Sequence, residues 1–190
     1  METSPTEASR ESTDPHDGES DRSAVVPSSS WVALDEAVDR ENRLFDGDLA
    51  RRAGVTETVI TDFATGWVAA GNRAENSTLD AKELMALQGS ELTVLACAGK
   101  NRVDHTGLQY NYYLNSCNTS KLVSAIAVGA GAAAIAAVIM AATGVGAVAA
   151  GIVAGALTIA GGVIGMCSSK GRGIVAHIIQ YTNVVWCNNQ

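Results

Sequence analysis

The chain has 190 residues, room for one ordinary domain with a tail or for two small units. Its formal charge of −7 divides sharply: residues 1–90 carry 18 Asp and Glu against 8 Lys and Arg, a net of −10, and residues 91–190 carry 5 basic against 2 acidic side chains, a net of +3. The opening METSPTEASRESTDPHDGESDR has neither a basic start nor an apolar run, which excludes a general secretory signal peptide there.

Residues 1 to about 28 are Ser, Thr, Glu, Asp and Pro with almost nothing apolar, too little to offset the entropy of ordering, and are expected to be a disordered acidic tail. From Ser30, a plausible N-cap, the pattern turns helical, with Val32, Leu34, Val38 and Leu44 toward one side. A second helical stretch runs from about Asp48 to Ala70 with an interruption near Gly54, and a third from Thr78 to Leu87, capped by Ser77 or Thr78. Residues 29–90 thus read as a small acidic helical unit. Beyond Glu91 the texture changes: Leu92–Cys97 is short and β-prone, Gly99–Thr106 is polar and turn-like, and Leu108–Leu114 is a tyrosine-rich strand candidate.

The next stretch, Leu122 to Ser169, is 48 residues without one charged side chain, mostly Ala, Gly, Val and Ile. It reads as two helices of about 20 residues, Lys121 to Ala142 and Ala147 to Cys167, broken at Thr143–Gly146. A connection this short makes them an antiparallel hairpin over residues 120–167. Each is long enough for roughly 30 Å of hydrocarbon. The large apolar residues of the first helix contribute only roughly −2 to −5 kcal/mol toward insertion, partly offset by its glycines and alanines. A dedicated anchor would carry more Leu and Phe. Gly151 with Gly155, and Gly161 with Gly165, form G-x-x-x-G spacings that suit close helix packing in lipid or in a core. Ser168–Gly173 is a turn, and Ile174–Trp186 is one strand or two.

All four cysteines fall in the cationic half, where their paired spacing favours disulfides in an oxidising place. The chain has no Cys-x-x-Cys pair, so neither a metal nor another cofactor is expected. A hairpin would set Cys117 beside Cys167 and leave Cys97 to pair with Cys187. The rival is two local 20-residue loops, Cys97–Cys117 and Cys167–Cys187.

The joint between the halves carries the most specific motif: Leu79, Glu83, Leu84 and Leu87, followed by Gly89 and Ser90. The leucines make a stripe for a docking groove, and the small pair lets an extended backbone enter a narrow active site. These twelve residues, 79–90, resemble the double-glycine leader of bacteriocin precursors, with Ser90 standing where the second glycine usually does. The resemblance implies recognition by a peptidase-containing ABC exporter and cleavage after Ser90. The product, Glu91–Gln190, would be a cationic four-cysteine peptide, halocin-like if the source is a salt-loving archaeon.

Leu49–Ile60 resembles a repressor-type helix-turn-helix, but its second helix carries Glu57 and Asp62 and no basic residue, so no nucleic-acid partner is expected. His105 and His177 lack a nucleophile motif beside them, and no enzyme is expected. The expected fold is mainly α: a tail, a helical leader, and a Gly/Ala-rich hairpin flanked by short strands. The expected function is a secreted, membrane-active antimicrobial peptide. Its partners would be the exporter, the target-cell membrane, contacted by Lys121, Lys170, Arg172 and Trp186, and other copies of itself. The alternative is a resident two-span protein of the cell membrane with an acidic cytoplasmic domain, since Lys121, Lys170 and Arg172 flank the hairpin on one side.

Overall fold

The structure, a computed structural model, describes residues 26–89, 97–159, 167, 170–179, 182 and 184–190. The described residues form seven helices and seven strands in a mixed α/β arrangement, which overturns the expectation of a mainly α chain built on one hairpin. Two features account for this. Short polar segments with helix-like or turn-like sequence are strands, and the uncharged stretch breaks one glycine cluster earlier than expected.

The acidic half opens with α1 (Ser28–Glu36), whose N-cap position is Pro27. The chain then turns into β1 (Val38–Asp39) and β2 (Leu44–Asp46), so Val38 and Leu44 belong to a sheet rather than to a continuing helix. Next come α2 (Gly47–Arg52), α3 (Glu57–Ala69), β3 (Arg73–Glu75) and α4 (Ala81–Gly89). The expected break falls at Gly54, whose φ of 87° lies where side chains are strained. Strand β2 pairs antiparallel with β1 and parallel with β3. Phe45 of β2 packs on Phe63 of α3, ring centroids 4.9 Å apart, and Phe63 stacks on Trp67. At the start of α4 the cap is Asp80, whose Oδ1 accepts from the Glu83 N–H at 3.0 Å, rather than Ser77 or Thr78.

Asp46 caps α2: its Oδ1 accepts from the Asp48 N–H at 2.9 Å and from Asn76 Nδ2 at 3.0 Å. The Asn76 bond, helped by the backbone N–H groups and the Arg52 charge, holds the Asp46 carboxyl below the usual aspartate range. A depressed carboxyl contributes stability above its unfolded pKa and loses it as pH falls through the folded value. Asp46→Ala is therefore expected to cost about 1 kcal/mol at pH 7. The denaturant midpoints of variant and parent should converge at pH values below about 3.9. A gap that persists in acid would show that the charged cap is not the source.

The cationic half begins with β4 (Arg102–Thr106) and β5 (Gln109–Leu114). The polar segment taken as a turn is thus largely an edge strand. Helices α5 (Ser116–Ala127), α6 (Ala132–Thr143) and α7 (Ala147–Ile159) follow, then β6 (Ile174–Ile179) and β7 (Val185–Asn189). The four strands form an antiparallel meander in the order β4-β5-β6-β7. Its inner face, including Tyr112, Leu114, Ile174, Ala176 and Ile178, joins the core.

The first of the two expected 20-residue helices is divided at Val128–Gly131, where Gly129 takes a φ of 71°. The resulting α5 and α6 have 12 residues each. The expected second break is present: Gly144 adopts the left-handed conformation that closes α6, and α7 runs 13 residues to Ile159, with 160–166 outside the described residues. No helix among the described residues is long and apolar enough to cross a membrane, so the first expected span, divided into α5 and α6, is corrected, and the second runs on into 160–166, outside the described residues.

Candidate functional site

Helix α6 is the centre of the molecule. Every residue from Ala133 to Met140 is buried, and α3, α5, α7 and the sheet all pack on it. An all-round apolar helix needs such a sheath. Here a large part of the sheath is the acidic half, which packs α4 on α5 and meets α6 and α7 at five further points among the described residues.

Two points are faces. Gly66 of α3 lies so close to α6 that a Cβ there would stand 2.8 Å from the Ala134 carbonyl carbon and Cα. Gly151 of α7 lies under the indole of Trp31, and a Cβ there would stand 2.5 Å from Trp31 Cε2. The G-x-x-x-G spacing that suggested helix pairing in lipid thus supplies, at Gly151, a seat for an aromatic ring of α1. Gly161 and Gly165 lie outside the described residues.

The other three points are helix ends, where backbone groups lack intrahelical partners and the peptide dipoles leave partial charge. At the start of α6 the buried Asp62 carboxylate lies against Gly131, the N-cap residue, whose missing side chain makes the room. At the end of α6, Arg40 Nη1 donates to the Gly144 carbonyl at 2.9 Å. At the start of α7, Asp35 Oδ1 accepts from the Ala147 N–H at 2.9 Å, and the same oxygen receives Arg40 Nη2 at 2.7 Å. Negative groups thus meet helix beginnings and a positive group meets a helix end, the favourable sense in each case. The uncharged segment has no charged residue of its own to do this. Its caps come from far along the chain, Asp62 from well outside the segment, Arg40 being 104 positions from Gly144 and Asp35 112 from Ala147.

The leader-like motif is folded into this arrangement. Leu87 is 0 % exposed and Glu83 2 %, and Leu79 and Leu84 are half-buried against the core. Gly89 is the last residue of α4, and Ser90 lies outside the described residues. The stripe that would face a peptidase groove is turned inward in the folded chain.

The four cysteines are all oxidised, but in the local arrangement: Cys97–Cys117 with Cα atoms 5.2 Å apart and Cys167–Cys187 at 5.8 Å. The nested ladder fails on strand order. Cys97 precedes β4 and Cys187 lies on β7, and these strands form opposite edges of the sheet, about 14 Å apart at the usual strand spacing. The end of β5 instead brings Cys117, in the first turn of α5, back to Cys97.

Of the residues expected at a membrane surface, Lys170 and Arg172 are exposed, as are Lys100 and Arg102. Trp186 is 37 % exposed, stacked on His177 with centroids 5.0 Å apart. Lys121 is only 5 % exposed, on α5, the helix that packs against α4 with its buried Glu83, so it is placed for the interior rather than for lipid.

The histidines sit on the sheet. His177 Nδ1 is 2.7 Å from Asn111 Oδ1 and 2.9 Å from Gln109 Nε2, and Asn111 donates to Asp104 Oδ1 at 2.8 Å. Burial lowers the His177 pKa, opposed in part by the Asp104 charge. His105 is exposed beside Tyr110. The helix-turn-helix-like segment does fold as α2-turn-α3, but α3 is buried along Ile60 and Asp62–Trp67 and packs on α6, and its exposed first turn carries Glu57 and Thr58 with no basic residue. Comparison with protein-family models, curated proteins and solved structures finds no match for this chain.

Asp35, Arg40, Trp31 and Gly66 are the residues that sequence reading misses. One signal was present: Asp62 lies between Ile60 and Phe63 on the apolar side of α3, a charge where only a partner in the core could tolerate it.

Proposed function

We propose that the chain is the precursor of a secreted, membrane-active antimicrobial peptide of the bacteriocin kind, whose acidic half clasps the uncharged helices and keeps them from lipid until the halves part. The observation that carries this reading is the supply, by Asp35, Arg40 and Asp62, of the end groups that α6 and α7 lack. Parted from the acidic half, those helices keep their apolar faces and lose the cover of α1 and α3. A bilayer is then the nearest apolar solvent.

Cleavage after Ser90 by a peptidase-containing ABC exporter fits the motif, and because Leu87 and Glu83 are buried in the folded chain this reading requires the exporter to act early. The exporter takes the chain before α4 docks, and the two bridges form outside the cell. Lys100, Arg102, Lys170 and Arg172 draw the product to anionic lipid, each contributing on the order of 1 kcal/mol near the surface. We assign the chain no enzymatic activity.

Mass spectrometry of the culture supernatant tests release. The expected product begins at Glu91 and is four hydrogens lighter than its sequence, and full-length protein confined to cells would overturn the reading. Dye release from anionic vesicles tests the clasp. The product is expected to open them and the intact chain to leave them sealed.

A further inference from the structure

A cavity of about 530 Å³ opens where α1, α7 and the inner face of the four-stranded sheet meet. That volume lies within the range of small-ligand sites. One wall is α7, with Ala149 inside and Ile152, 61 % exposed, at the rim. The facing wall is the sheet, where Tyr110 and Tyr112 stand side by side on β5, centroids 6.5 Å apart and tilted by 31°. Asp35 is the only charged residue among the described residues that line the cavity. Its Oδ1 is taken by Arg40 and the Ala147 N–H, and its Oδ2 accepts no hydrogen bond from the described residues.

We infer that this cavity binds a small alkylammonium ion. Apolar walls take the alkyl groups. Two tyrosines line it, a residue type whose ring attracts a cation placed over its face. Arg40 and the Ala147 N–H occupy Oδ1 of the carboxylate, which leaves Oδ2 to face the cation, and no lysine or arginine is among the described residues lining the cavity. A neutral guest fills the walls but strips water from Asp35 without replacing it. An anion adds repulsion. The site needs Asp35 from the acidic half and the other walls from the cationic half, so it exists only while both are joined. It stands whether or not the chain is a precursor.

Isothermal titration of the intact, oxidised chain with hexyltrimethylammonium, hexanol and hexanoate tests this. The cation is expected to bind at least tenfold more tightly than hexanol, and hexanoate more weakly than either. Asp35→Asn, which keeps an acceptor for the Ala147 N–H, should remove the preference for the cation and leave hexanol binding. Ala149→Phe should fill the cavity and abolish all three. Tyr110→Leu, on the partly open side, gives a second reading if Ala149→Phe fails to fold, and should weaken the cation alone. Competition by phosphatidylcholine vesicles would mark a lipid headgroup as the source, and competition by soluble choline alone a free amine. Equal binding of cation and hexanol, or a cation affinity unmoved by both Ala149→Phe and Tyr110→Leu, overturns the site.

Discussion

Gly66→Val is expected to destabilise the folded chain by more than about 3 kcal/mol, at or beyond the upper end of ordinary overpacking. The reason is what the new atoms would strike. At Gly66 a side chain meets the backbone of Ala134 in the middle of the buried helix α6, not the far end of a side chain that can swing aside. Helices α3 and α6 would have to move apart, opening contacts along both. Urea denaturation followed by tryptophan fluorescence reads this directly, because Trp67 lies one residue on, on the same helix. Gly54→Val is the control: that position is also a glycine, with open space around it, so its cost is confined to the strained backbone. If the two variants lose the same stability, α3 does not press on α6 as described.

Reduction of both bridges is expected to remove most of the net stability. Each closes a loop with a sequence separation of 20 residues. On the chain-entropy estimate, each is worth about 3 kcal/mol, and because the loops do not overlap the two together reach about 6 kcal/mol. Typical domains have only about 5–15 kcal/mol in total. The sheet of the cationic half should therefore loosen under reductant. Its amide protons should exchange far faster in the reduced protein, while α3, which is outside both loops, retains part of its protection. Unchanged exchange in β4–β7 after reduction would show that the sheet stands without its bridges.

Local signals were legible where chemistry is local. Gly54, Gly144 and the Gly171 turn punctuate the chain where the sequence places breaks, and the tyrosine-rich stretch is β5. The reading failed where a residue's state depends on distant partners. Val38 and Leu44 continue a helical pattern on paper but are strands, because β3, some thirty residues on, completes their sheet. The uncharged stretch reads as two long helices because Ala and Gly carry no periodicity that reveals the break at Gly129–Gly131. The site was least legible. Its charges lie in one half and the helix ends they serve in the other, and only the fold sets Asp62 against Gly131 or Arg40 on Gly144.

The two bridges lie wholly within residues 97–187, so the main chain through residues 90–96 is the sole covalent link between the halves. A single cut there turns an intramolecular contact into an encounter between two molecules, and the law of mass action takes over. High concentration, as in a crowded cell or a concentrated stock, favours the pieces staying together. Diluted into a surrounding medium they would separate, so on the proposed reading the uncharged helices would lose the cover of the acidic half only where the pieces are dilute.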